Sequence, residues 1–432
     1  MKTRWKKAAA LGMAALMMTG AAAGCQKKES APDGTEKIVL NVWHQWTDPN
    51  SSLTQTFQTA VEDYEKEHDT IDIELHGLDT DSYKTKMSTE FAGNAKGVDV
   101  FYYWAPGKLK QLVNADKVLA VDEYLPDGAL DRVKEGSTRS FELGDSLYGL
   151  PIDSYMMILY CNTDLFAQAG AEIPTDYESL LEAGEKLAQL EGVTPLAVGA
   201  KDGWLAASLY EAVALREVGA DTVNQILLGE QEFTDAGLEE AAKKVVELYD
   251  KGILGKNPLE DGEAEANADF LNEKAAMTLN GSWFAGTIDT DPDSAVKEHV
   301  TAVTFPMTKA DGNAKDFAGG ANSSFFVNKN TEYPKESVEF AAYIAEQMGS
   351  RATELGTGFS SWNVETDSED ITPTFVPMID LFNSVENGVL NWDSTLDANA
   401  ASVHLEQSQA LLSGSADLEA FMQAHQEALA SE

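Results

Sequence analysis

Seven tryptophans lie beyond residue 24: Trp43, Trp46, Trp104, Trp204, Trp283, Trp362 and Trp392. An indole is a broad apolar plate with one polar edge, so the residues beside it decide what it can hold. His44, Gln45 and Asp48 surround Trp43 and Trp46; Asp153 and Tyr155 share one segment; Asn280 precedes Trp283, and Asn322 follows a Gly-Gly pair. That mixture suits a ligand with an apolar face and a rim of hydroxyls. A pyranose ring stacks its C–H face on Trp or Tyr, and its hydroxyls take partners from Asp, Asn, Gln and His. A plainer reading stands beside this one at every position, because tryptophans also fill cores and loop Asp or Asn residues also cap and turn the chain.

The elements that would position these residues follow from periodicity. Residues 38–43 form a β-favouring run, and Leu53, Phe57, Ala60, Val61 and Tyr64 follow at helical spacing, with Ser51 or Ser52 placed as the cap. Residues 71–75 alternate as a strand, Tyr83, Met87 and Phe91 make a second helical face, and residues 98–103 a third strand. This order predicts a parallel sheet with helices on both faces. A second α/β region starts near Tyr148, with strands predicted at 156–160, 196–198, 275–279, 302–305 and 324–327, and a mainly helical C-terminal stretch. Trp43 with Trp46, Trp104, Trp204 and Trp283 therefore stand at the ends of four predicted strands, where ligands collect in open α/β sheets. Their neighbours, as in Asn280-Gly281-Ser282-Trp283 and Asp202-Gly203-Trp204, carry turn chemistry.

The chain has 432 residues, 43% of them apolar, which is too apolar for disorder and too long for one ordinary core, so two domains are expected. Lys2, Arg4, Lys6 and Lys7 precede a short apolar stretch that ends at Ala22-Ala23-Gly24-Cys25. This segment resembles a bacterial lipoprotein signal with its lipobox, which implies cleavage before Cys25, acylation of Cys25 and a lipid anchor at the cell membrane; residues 25–36 then read as a flexible tether. An ordinary secretory signal is the alternative, and the run is too short for a membrane span. With 31 basic and 72 acidic residues the net charge is −41, and it reaches −45 once the four basic residues of the leader are gone. Such a field repels polyanions and excludes nucleic acid as a partner. An acylated Cys25 leaves Cys161 without an intramolecular disulfide partner, and its apolar surroundings predict a small buried residue.

Several segments resemble the extracellular solute-binding proteins of ABC importers, the family-1 group that includes maltose-binding protein. Residues 97–104 running into 109–125 are similar to that family's third-strand motif. Tyr148-Gly149-Leu150-Pro151 with residues 159–170 is similar to its crossover motif. Phe270-Leu271-Asn272 with Asn280-Gly281-Ser282-Trp283 is similar to its most recognisable one, and Phe305-Pro306 followed by Gly319-Gly320 resembles the return to the first lobe. The resemblance implies a two-lobed α/β fold of the periplasmic-binding-protein type II kind, with a hinge and an interlobe ligand cleft. One lobe would comprise residues 36–151 with 320–352, the other 152–319 with 353–432. It implies ligand contacts at Trp104, Trp204, Trp283, Trp362 and the Gly320–Asn322 turn, with Tyr155 near the place of the family's crossover-strand acid. It further implies a monomer that hands a carbohydrate to permease subunits, with no catalysis, cofactor or metal.

Two other classes stay open. An exported glycoside hydrolase would share an aromatic, acidic cleft, and needs two carboxylates roughly 5–10 Å apart. A binding protein of the same fold for a peptide, amino acid, anion or metal is the other. Arginine is scarce for a carboxylate or phosphate ligand. Asp289-Thr290-Asp291-Pro292-Asp293 and Asp79-Thr80-Asp81 begin like calcium loops but lack the required Gly, at Ser294 and Lys84.

Overall fold

The structure, a computed structural model, describes residues 37–309, 313–367, 369–414 and 417–430. The leader, Cys25 and the tether lie outside the described residues.

The first half follows the predicted alternation. Strand β1 (Ile38–His44) leads to helix α1 (Ser52–Glu67), β2 (Ile71–Gly77), α2 (Thr80–Ala92), β3 (Val100–Trp104) and α3 (Gly107–Asn114). A small hairpin, β4 (Glu142–Leu143) and β5 (Ser146–Leu147), precedes the ten-residue strand β6 (Asp153–Asn162). Then come α4 (Thr163–Ala169), α5 (Tyr177–Leu187), β7 (Thr194–Ala197), α6 (Gly203–Val218), α7 (Ala220–Leu227) and α8 (Ala236–Asp250). Next are α9 (Glu263–Leu271), β8 (Ala275–Gly281), α10 (Phe284–Thr290), β9 (Val300–Val303), β10 (Asp316–Gly320), β11 (Ser323–Val327) and α11 (Pro334–Arg351). The chain ends with β12 (Phe359–Ser360), α12 (Val376–Ser384), β13 (Asn387–Val389), α13 (Trp392–Thr395), α14 (Ala398–Leu411) and α15 (Leu418–Leu429).

Two sheets divide these strands between two lobes. The first lobe carries the order β11-β3-β1-β2, with β1 parallel to both β2 and β3, and β11 returning antiparallel on β3, Ser323 opposite Trp104. Its core runs from Leu40 to Ile152, takes Phe325–Met348 from β11 and α11, and closes with Trp362. The second lobe carries β13-β10-β6-β8-β7, and β9 and β12 also pair with β6. Here only β7–β8 and β10–β13 are parallel; β6 runs against β8, β9, β10 and β12. The chain passes between the sheets at residues 151–153, at 320–323 and again after α11.

Strand β10 departs from the sequence expectation, which placed no strand at 316–320. Glycine is a poor strand former, so Gly319-Gly320 reads as a break. The backbone needs glycine there: Gly319 has φ of 151°, and a Cβ on it would lie 2.1 Å from the Tyr155 carbonyl oxygen. β13 likewise interrupts the stretch expected to be helical.

The second lobe is organised around α6, of which all but three residues are buried. A largely apolar helix belongs in an interior, and the buried guanidinium it carries inward is fully engaged. Arg216 donates to the carbonyls of Phe305 (3.0 Å), Asn313 (2.7 Å) and Asp316 (2.8 Å). Cys161 is fully buried, as its apolar context predicts.

Candidate ligand-binding cleft

The lobes face each other across a cavity of about 470 Å³. The first lobe contributes Gln45, Trp46 and Asp48 after β1, Tyr102 and Trp104 from β3, and Asn322 before β11. The second contributes Asp153 and Tyr155 from β6, Trp204 at the start of α6, and Trp283 before α10. All of these but Tyr102 were singled out in the sequence, so nine candidates are brought together in one place.

On the first-lobe wall, Trp46 packs at centroid distances of 4.7 Å from Tyr102 and 5.0 Å from Phe57. Tyr102 meets Trp104 edge-on at 5.3 Å. On the opposite wall, Trp283 lies 5.6 Å from Tyr155 and 6.1 Å from Trp204, a run of three aromatics. The Nε1 of Trp204 is buried with no hydrogen-bond partner among the described residues. The turn that presents Trp283 uses every member of its motif. A Cβ on Gly281 would lie 2.2 Å from the Trp283 ring, so only glycine lets the indole lie flat. Ser282 holds β6 in register, its amide donating to Met156 O at 2.8 Å and its hydroxyl accepting from Met156 N at 3.2 Å.

Five sequence candidates do not line the cavity. Trp43 sits on the outward face of β1, stacked on His76 at 4.8 Å and donating to Gly97 O at 2.9 Å. The strand runs one residue further than Trp43, and alternation sends the next side chain, His44, into the core, 4.7 Å from Phe57. Burial, with His76 nearby, pulls His44 down to about 4. Asn280 is 1% exposed and lies behind the wall, donating to Asn267 Oδ1 at 2.8 Å and Glu263 Oε1 at 3.3 Å and accepting from Gly281 N. Gly320 supplies backbone to β10. Trp362 is 1% exposed and belongs to the first-lobe core, its Nε1 donating to the carbonyls of Pro151 (3.0 Å) and Ile152 (3.2 Å). The calcium-like segments also have other partners. Asp79 caps α2 through Ser82 N at 3.1 Å, and Asp289 accepts from the Thr374 amide and hydroxyl at 2.8 and 2.7 Å.

The structure adds cleft residues that sequence reasoning missed. Lys84 and Lys108 enter from α2 and α3, Glu263 and Asn267 from α9, and Asn391 and Asp393 from the edge of α13. A signal for the last pair existed in Trp392, the one tryptophan given no role. Its ring is buried and stacks on His404 at 4.9 Å, while its two neighbours turn into the cleft. Asn391 accepts from Tyr155 Oη at 2.5 Å and donates through Nδ2 to Glu211 Oε2 at 3.0 Å.

The carboxyls here are strongly differentiated. Burial pushes Asp153 up to about 8 and also raises Glu263, against the opposing side chains of Asn280 and Trp283. Burial works in the same direction on Asp393, yet Lys108 and Lys84 hold its carboxyl well below the usual range. Behind the wall, burial pushes Glu211 up to about 8 and pulls His404 down to about 4 and His425 to about 3. Hydrogen-bond direction fits those protonation states. Phe421 O can only accept, so His425 Nδ1 donates to it (2.8 Å), His404 Nδ1 donates to His425 Nε2 (3.0 Å), and the Glu211 proton faces His404 Nε2 (3.0 Å).

A cavity with aromatic plates on both walls, amide and carboxyl groups between them, and a second lobe poised opposite the first is built to bind a small polar molecule by enclosure. Comparison with known proteins agrees. Residues 50–349 match the family model described as bacterial extracellular solute-binding protein. The multiple sugar-binding protein of Streptococcus mutans is 22% identical over 79% of this chain and 78% of its own length. A structure from work on xylan utilisation by Caldanaerobius polysaccharolyticus superposes with a TM-score of 0.85 at 29% identity, over 90% of this chain and 99% of that one. A chitin oligosaccharide binding protein gives 0.82 at 22% identity, over 91% and 98%, and shares the two-lobed type II fold. The chain, by a family match over most of its length and by the fold that match implies, belongs to the bacterial extracellular solute-binding proteins.

Proposed function

We propose that this protein captures an uncharged carbohydrate, an oligosaccharide, in the interlobe cleft and delivers it to the permease of an ABC importer. The observation that carries the reading is the aromatic run Tyr155–Trp283–Trp204 facing Trp46, Tyr102 and Trp104 across one cavity. Sugar rings stack on such plates, and Asp153, Gln45 and Asn322 stand beside them for hydroxyls. The names of the relatives, which speak of sugar and chitin oligosaccharide binding, support the same class. In this reading Cys25 carries the lipid that tethers a monomer outside the cell membrane, and the lobes close about the three interlobe passages, Trp362 staying keyed into the first lobe. No bond is broken in the ligand.

Calorimetric titration with xylo-, chito- and malto-oligosaccharides tests this. At least one series binds, and Trp283→Ala and Trp104→Ala each weaken it by about 1–3 kcal/mol, the scale of a lost aromatic anchor. Wild-type affinity in both variants removes these rings from the site. Turnover of an oligosaccharide in the same incubations moves the reading to a glycoside hydrolase.

A further inference from the structure

Two lysines of the first lobe reach one carboxylate of the second. Lys84 Nζ on α2 lies 3.3 Å from Asp393 Oδ2, and Lys108 Nζ on α3 lies 3.2 Å from the same oxygen. The three side chains are only 21%, 17% and 7% exposed. The same ammonium groups stand 5.1 and 5.5 Å from the Trp104 ring centre, so the ion cluster and a cleft plate share one arrangement.

The backbone beside the cluster is fitted just as closely. The start of α3 abuts the end of α13: a Cβ on Gly107 would lie 2.2 Å from Thr395 O and 2.7 Å from Ser394 O. Gly107 is not in the left-handed region, so the neighbour across the lobes requires glycine, not the local backbone. Asp393 is also presented rigidly. Glu211 accepts from Trp392 N at 3.0 Å and from Asn391 Nδ2 at 3.0 Å, and Asn391 is joined to Tyr155.

We propose that Lys84, Lys108 and Asp393, with the Gly107–Thr395 seam, form a latch that holds the two lobes together. A buried carboxylate stripped of water is costly alone and is tolerated here because two cations meet it. Removing it leaves two ammonium groups crowded against each other in the seam, a repulsion that parting the lobes relieves. The latch rests on the cleft being the site of capture, but it does not require the ligand to be a sugar.

Hydrogen exchange read by mass spectrometry on the full chain, with no sugar added, tests the latch. In Asp393→Asn, segments 104–110 and 391–396 exchange together about tenfold faster, the ratio equivalent to about 1.4 kcal/mol, while strands β1 and β8 stay protected. Gly107→Ala keeps all three charges and favours the helix, yet gives the same paired increase because its methyl has no room in the closed seam. Unchanged exchange in both variants overturns the latch, as does a change in one segment alone, which is local loosening. A latch that passes while no oligosaccharide binds sinks the sugar reading only.

Discussion

Trp362 separates a core role from a ligand role. The family resemblance makes it a ligand plate; the structure leaves it 1% exposed and packed against α11, where a Cβ at Gly349 would come within 2.3 Å of its Nε1. Its indole N–H serves two carbonyls, Pro151 O and Ile152 O, at the point where the chain leaves the first lobe. Trp362→Ala therefore removes a large buried ring and both hydrogen bonds, a loss of about 3–5 kcal/mol by comparison with other buried aromatic truncations. Trp362→Phe keeps most of the volume but leaves the two carbonyls without their donor, costing about 1–3 kcal/mol. Urea denaturation of the two variants beside the wild type measures these losses, and titration with the ligand identified by the oligosaccharide series measures affinity in the folded protein. The expected pattern is a graded stability loss, Ala beyond Phe, with the affinity of folded Trp362→Phe near that of the wild type. Stability within about 1 kcal/mol of the wild type in Trp362→Ala, together with tenfold weaker binding, refutes the core assignment.

Protonation gives a second prediction. Glu211 and Asp153 are raised to about 8, so the stability they contribute is complete below the ordinary carboxylate range and is lost as pH rises toward 8. His44 and His404, lowered to about 4, and His425, lowered to about 3, act in the opposite sense, losing stability as pH falls from 6.5. Above pH 6.5 the three imidazoles have only the last part of their stability to regain, whereas Glu211 and Asp153 go on losing theirs up to about 8, so the urea midpoint falls over that interval and falls less in Glu211→Gln; a midpoint that rises there contradicts the assignment. Asn280→Ala frees Glu263 and Asn267 without touching the ligand, and weakens capture by about 1 kcal/mol, a hydrogen bond's worth of positioning, readable by calorimetry. Trp43→Ala leaves affinity unchanged, since its ring faces His76 outside the cleft, and a weakened titration would return it to the site.

Much of the candidate site is legible in the sequence. Turn chemistry next to an indole, as in Asn280-Gly281-Ser282-Trp283, is a local signal, and so is a strand ending at Trp104; both deliver their rings to the cleft as expected. Order of motifs along the chain was enough to indicate a two-lobed α/β molecule. Local periodicity nevertheless leaves the face of a strand undetermined until its end is known. The run read as ending at Trp43 extends to His44, and the alternation of β1 sends the one outward and the other into the core.

What the tertiary structure alone decided is which distant groups meet. Lys84 and Lys108 stand 309 and 285 residues before Asp393, and no local motif links them to it. Glu211, His404 and His425 carry no motif either, and become one hydrogen-bonded chain only when α6, α14 and α15 pack. A sequence records propensity and period, which are properties of neighbours. Sheet register and helix packing bring remote side chains together, and burial then sets their charge.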